Sequence, residues 1–193
     1  DYALTIPNWR INATVGQSYS FSPDPAIAPD GTGLSHHTSD IVGRVEVEYR
    51  DFLQFTERFR IDEKSGAFRK NEFDVTVGSH QTYFEVGYTN LSRNIQELED
   101  LPDREEVRAA GRIAFLRYWS VFASGVLNLT NRQADPINGS DGFQPLRTRL
   151  GVAYADDCIE LGVTWRRDYV ALADARLGNT FMFHIALKNL GAH

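Results

Sequence analysis

Ile41-Val-Gly-Arg-Val-Glu-Val-Glu-Tyr-Arg50 reads as an extended strand with two unlike faces. Val45, Val47 and Tyr49 fall on one side, and Arg44, Glu46, Glu48 and Arg50 on the other. Successive side chains of a strand point to opposite faces, so this spacing buries one face in an apolar medium and leaves the other wet. The pattern recurs outward in both directions. Phe73, Val75 and Val77 alternate with Glu72, Asp74 and Thr76; Phe84, Val86 and Tyr88 alternate with Glu85, Gly87 and Thr89. Leu150, Val152 and Tyr154 alternate with Arg147, Arg149 and Gly151, and Leu161, Val163 and Trp165 with Glu160, Gly162, Thr164 and Arg166. Phe181, Phe183, Ile185 and Leu187 alternate with Met182, His184, Ala186 and Lys188.

About ten such segments are expected, at 8–22, 41–50, 53–62, 68–79, 81–93, 107–118, 121–132, 143–155, 158–169 and 179–190. A helical turn is considered only within 95–107. The chain is therefore read as all-β. The connections alternate in length: 23–40, 94–106, 133–142 and 170–178 are long, whereas 51–52, 119–120 and 156–157 are short. Short turns at one end and long loops at the other describe an antiparallel up-and-down sheet, the pattern of a transmembrane β-barrel. A soluble β-sandwich or lipocalin-like barrel binding an apolar ligand gives the same alternation with the apolar face inward. Three features favour the membrane: strands long enough to cross a bilayer at about 9–11 residues, full charges of both signs on the polar face, and aromatics near strand ends, as interfacial girdles require. The aromatics are Trp9, Tyr19, Phe21, Tyr49, Tyr88, Tyr118, Trp119, Tyr154, Trp165 and Tyr169.

Composition narrows the classes further. The 193 residues are 42% hydrophobic and carry a formal net charge of −6. No apolar run approaches the roughly 20 residues of a membrane-spanning helix. The acidic balance argues against a nucleic-acid partner. Cys158 is the one cysteine, so no disulfide can close within the chain. Asp1 stands where a start methionine would, which suggests a processed chain or a piece of a longer one.

The charged face would line a wet lumen. Its expected members include Arg44, Glu46, Glu48, Arg58, Arg60, Glu72, Asp74, Glu85, Arg112, Arg147, Arg149, Glu160 and Arg166. Cross-strand ion pairing is the plain explanation for any one of them, and passage of phosphorylated sugar head groups the functional one. Glu57 is in phase with Phe55 and Phe59 and so breaks the apolar face, which suggests a register change or bulge. His36-His37 with Asp40 is considered as a metal site and set aside as loop residues. Asn138-Gly-Ser-Asp-Gly142 lacks the closing carboxylate of a calcium loop and reads as a turn. A Ser-His-Asp arrangement drawn from His80, His184, Asp40, Asp74 and Ser92 has no pair that the pattern brings together. No catalytic, metal-binding or cofactor-binding residues are assigned.

The last third carries a family resemblance. Asp156-Asp-Cys-Ile-Glu-Leu-Gly-Val-Thr-Trp-Arg-Arg-Asp168 and Asn179-Thr-Phe-Met-Phe-His-Ile-Ala-Leu-Lys-Asn-Leu-Gly191 resemble the end of the lipopolysaccharide-assembly outer-membrane proteins, the LptD or organic solvent tolerance family. Gly33-Leu-Ser-His-His-Thr-Ser-Asp-Ile-Val-Gly43, Phe59-Arg-Ile-Asp62, Arg69-Lys-Asn-Glu72 and Arg117-Tyr-Trp-Ser-Val-Phe122 fit the same family in order and spacing.

The resemblance implies that residues 1–193 are the C-terminal part of a barrel larger than ten strands. The family's periplasmic β-jellyroll domain and the first barrel strands would then precede this chain. It implies insertion of lipopolysaccharide into the outer leaflet of a Gram-negative outer membrane through a lateral opening between first and last strands. An LptE-like lipoprotein would sit inside the barrel, and an LptA-like periplasmic bridge would dock through the N-terminal domain. The last strand, with Asn179, Thr180, Phe181, Met182, Phe183, His184, Ile185, Ala186 and Leu187, would be one lip of that gate, and the C-terminus would be periplasmic. Cys158 would pair with a cysteine outside this chain; many members carry two adjacent cysteines here, where this chain has Asp157-Cys158. The alternative is a self-contained ten-stranded outer-membrane barrel, acting as a pore or a membrane-embedded hydrolase.

Overall fold

The structure is a computed structural model that describes residues 1–22, 37–92, 104–131, 142–170 and 177–188. Eleven strands run through them: β1 Tyr2–Ile6, β2 Trp9–Gly16, β3 Ile41–Tyr49, β4 Leu53–Ile61, β5 Phe68–Gly78, β6 Tyr83–Leu91, β7 Arg104–Phe115, β8 Trp119–Asn128, β9 Gln144–Ala155, β10 Ile159–Asp168 and β11 Gly178–Leu187. They form one antiparallel sheet in sequence order, β1 to β11. Among the described residues β1 bonds only to β2, and β11 only to β10. The sheet is an open arc.

Ten of the strands overlap the segments the alternation marks, with β2 ending at Gly16 where the pattern is expected to run to 22, and β7 and β8 starting two to three residues earlier. The eleventh, β1, escapes the sequence reading because Tyr2-Ala-Leu-Thr-Ile6 offers only five residues of pattern. A turn at Pro7-Asn8 then folds it onto β2, with Asn8 at φ 70°. Asparagine tolerates that left-handed conformation better than most residues. β7 begins at Arg104, so residues 104–107 are strand where a helical turn was considered; residues 95–103 lie outside the described residues. The turn after β7 is 116–118, and Trp119 already belongs to β8.

Register shows how the two faces persist across the sheet. One continuous row of cross-strand partners runs Trp9, Tyr49, Leu53, Val77, Phe84, Gly111, Ala123, Leu150, Trp165, Phe181. The next row runs Arg10, Glu48, Gln54, Thr76, Glu85, Ala110, Ser124, Arg149, Arg166, Thr180. The first is apolar and the second polar, with no exchange of faces over ten strands. Each row starts at the short-turn end of β2 and finishes near the long-loop end of β11. That stagger is the shear of strands tilted across a barrel wall.

Burial is inverted relative to a soluble protein. No described apolar side chain is buried, whereas Asp40, Thr56, Asp62, Ser120, Thr130 and Asp168 are. In a soluble sandwich a second layer would cover Leu4, Phe84, Ile113, Leu150, Val163 and Phe183, all of which are exposed here. Leaving each of them in water forfeits about 1.5–3 kcal/mol. Hydrocarbon removes that penalty, so the single sheet fits a bilayer and not water.

Glu57 corrects one expectation. The irregularity in β4–β5 pairing falls between Arg60 and Ile61, not at Glu57. Glu57 stays in regular register, with Val45 on one side and Phe73 on the other. It is a carboxylate standing on the apolar face at mid-strand.

Candidate functional site

Three regions carry the chemistry: the charged face, the free edge at β11, and the short turn holding Cys158. All the charges expected in the lumen, from Arg44 to Arg166, fall on one face of the sheet by register.

From β2 to β7 this face is a lattice of ion pairs. Arg10 meets Glu48 at 3.0 Å and Lys70 meets Glu72 at 3.0 Å. Arg44 pairs with Glu46. Asp74 receives Arg58 at 3.6 Å and also pairs with Arg108, while Arg104 meets Glu106 at 2.7 Å. From β8 onward the carboxylates thin out. Arg147 Nε and Arg166 Nε both donate to the buried Asp168, at 2.7 and 2.6 Å. Arg149 stands directly across from Arg166. The Nε atoms of Arg149 and Arg112 are buried with no hydrogen-bond acceptor. Glu160 lies further along β10, 3.6 Å from Lys188.

Buried aspartates tie down the roots of the longer connections, a role the sequence pattern does not assign to Asp40, Asp62 or Asp168. Asp40, at the end of the long β2–β3 connection, accepts Arg60 Nε at 2.5 Å. Asp62 accepts Ser65 N at 2.7 Å, Ser65 Oγ at 2.8 Å and Arg69 Nε at 2.8 Å. The Ser65 amide, then the Arg69 guanidinium, hold its carboxyl well below the usual carboxylate range. The signal lay in Arg60-Ile-Asp62 and Arg166-Arg-Asp168, each an aspartate at the join of a strand and a longer connection. With Asp40 bound by Arg60, and His37 Nδ1 2.9 Å from the Ser20 carbonyl, the residues considered for metal are occupied; His36 lies outside the described residues. His80 and Ser92 flank opposite ends of β6, roughly 30 Å apart at the rise of a strand.

The opposite end of the sheet is built differently. Its turns are short and its apolar rim is aromatic: Trp9 packs on Tyr49 at 4.7 Å and Trp119 on Tyr154 at 5.2 Å. Cys158 is exposed in the turn between β9 and β10. Asp156 Oδ1 accepts the Cys158 and Ile159 amides at 2.8 and 2.7 Å, and those amides lower the Asp156 pKa. The turn therefore presents the thiol from a fixed backbone.

β11 presents two contrasting rows beside an unpaired edge. Phe181, Phe183, Ile185 and Leu187 lie on the apolar face, with Phe183 76% exposed. Asn179 donates no partner to that row but accepts the Trp165 indole N–H at 3.2 Å. Thr180, Met182, His184 and Ala186 continue the polar face opposite Arg166, Thr164, Gly162 and Glu160.

The family model described as LptD, LPS transport system D, matches residues 2–119. The match spans β1 to β7 and reaches the first residue of β8. No curated protein matches the chain. The matched stretch is more than half of the sequence and coincides with an arc of antiparallel strands, apolar outside its charged face, as an outer-membrane β-barrel wall requires. The chain belongs to the LptD family of lipopolysaccharide transport proteins.

Proposed function

We propose that this arc is part of the wall of a larger outer-membrane barrel that inserts lipopolysaccharide into the outer leaflet, with β11 as one lip of a lateral gate. What supports the reading is the LptD family match together with the two contrasting rows of β11, which like β1 is an edge strand of the arc among the described residues. An unpaired edge is costly in hydrocarbon because each backbone group must find a partner. A seam that opens therefore belongs where two edges meet, and β11 supplies one of them. Its apolar row would face acyl chains, and Thr180, Met182, His184 and Ala186 would face the sugars.

The remaining barrel strands and a periplasmic β-jellyroll domain would lie outside this chain, with an LptA-like bridge docked on that domain and an LptE-like lipoprotein in the lumen. The longer connections would be extracellular, and the short turns and the C-terminus periplasmic. Cys158, exposed on a short turn, would then meet a cysteine of the periplasmic domain in an oxidised compartment.

A photo-reactive residue at Thr180, in the native full-length protein during transport, tests the gate. Adducts with lipopolysaccharide are expected; their absence there, with adducts at Thr76 in mid-arc, rejects β11 as the exit. The bridge has its own test. Cys158 should resist thiol labelling until a reductant is added, and labelling without reductant contradicts the pairing.

A further inference from the structure

The charged face changes character between β7 and β9, and the change leaves arginine without counter-ions. Arg112, Arg147, Arg149 and Arg166 share this part of the face with Asp168, which already takes two of them. Arg166 spends both Nε and Nη2 on that carboxylate, the latter at 3.0 Å. Arg149 faces Arg166 across the ladder, and like charges directly opposite repel. Arg149 has no hydrogen bond or ion pair among the described residues, and its buried Nε is without an acceptor. Among the described residues Arg112 reaches only the Ser120 hydroxyl, at 3.0 Å, and its Nε is likewise buried and unmet. Buried donors in folded proteins are nearly always satisfied by protein, water or a bound ion. A chain of net charge −6 that concentrates unmatched guanidinium groups in one place does so locally, not through a general excess of base.

We propose that Arg149, with Arg166 directly across the ladder and Arg112 two strands away on the same face, is a binding station for a phosphate-type anion. The guanidinium fork matches paired phosphate oxygens, and an anion between Arg149 and Arg166 converts their repulsion into a shared attraction. Position adds to the case. β10 is the strand next to the free edge, and Thr180, Met182, His184 and Ala186 of β11 carry neither carboxylate nor guanidinium. On the charged face of the described residues, Arg149 is thus the last arginine without an ion pair before the edge. The anion site stands on the unmet nitrogens; its role as the final contact of a phosphorylated lipid leaving sideways rests on the gate reading above.

The test uses the full-length protein in nanodiscs, native and as R149Q, R149K and R112Q. Binding is measured for diphosphoryl lipid A, for the same lipid after phosphatase treatment, and for inorganic phosphate as competitor. Native protein should prefer the phosphorylated lipid. R149Q should weaken that binding about tenfold, as loss of a charge-assisted hydrogen bond predicts, R112Q should weaken it less, and R149K, which keeps the charge but loses the fork, should fall between native and R149Q. Competition by inorganic phosphate identifies a site for the free anion; binding of the lipid without competition identifies a site for the head group; both support the station. Equal affinity of native protein for both lipids, or of native and R149Q for the phosphorylated one, overturns it. Heat-modifiable migration reports folding, and if R149Q does not fold, R112Q and R149K decide: unchanged affinity in R112Q then rejects the station. Loss of binding in R149Q without lipid adducts at Thr180 keeps the station and removes it from the exit route.

Discussion

The two halves of the charged face are made of the same residue types and differ in bookkeeping. Between β2 and β7 most cations find carboxylates on a neighbouring strand, two residues along the same one, or one strand further over Gly87, as at Arg10–Glu48, Arg44–Glu46 and Asp74 with Arg58 and Arg108. Between β8 and β11 a single buried aspartate holds two arginines, a third has no partner, and the last strand offers neutral groups. The first half pairs most of its cations internally, Arg112 at the end of β7 being the exception. The second is incomplete in itself and lies beside the edge proposed as the gate. A wall that conducts a charged amphiphile needs both: one side that stays shut and one that has charge left to offer.

The largest expected effect separates the halves by their central aspartates. Asp168 is buried at 7% exposure of its side chain, while Asp74 is 22% exposed and its arginine partners are about half exposed. Asp168→Asn strands Arg147 and Arg166 beside Arg149 and should cost about 3 kcal/mol, the usual loss on breaking a buried pair. Asp74→Asn breaks screened pairs and should cost about 1 kcal/mol. Denaturant unfolding of the native protein in vesicles measures both; equal losses would erase the distinction between the halves.

A smaller effect, of opposite sign, is expected on the other face. Glu57 has no ion pair or hydrogen bond among the described residues and stands between Val45 and Phe73. If that face meets hydrocarbon, Glu57→Leu should stabilise the barrel in a bilayer by about 1–2 kcal/mol, since acidic groups there cost somewhat less than the basic ones. Destabilisation would mean that Glu57 faces a polar partner instead of lipid.

How much of this was legible in the sequence follows from the range of each interaction. The faces were readable because period-two alternation is local: Val45-Glu-Val-Glu48 carries its own assignment. The shared face of Arg44, Arg112 and Arg166 followed from the same phase. β1 was missed because five residues and a two-residue turn fall below the length at which a pattern stands out. The pairing of Asp168 with Arg147 and the isolation of Arg149 are not readable from the sequence. Arg147 and Asp168 are 21 residues apart, and only the β9–β10 register shows that Arg149 lands on Arg166 and not on a carboxylate. The edge of β11 was an expectation from family likeness alone, because a sequence records neighbours along the chain and not the absence of a neighbour across a ladder.

That edge is the centre of the account, and a reversible lock addresses it most directly. In the native full-length protein, a cysteine at Thr180 or His184 is paired with one on the strand that faces β11 across the seam, and surface arrival of lipopolysaccharide is followed under oxidising and reducing conditions. The account predicts that oxidation stops delivery and that reduction restores it. Delivery continuing at the unlocked rate with the seam fully cross-linked would contradict a lateral gate at β11.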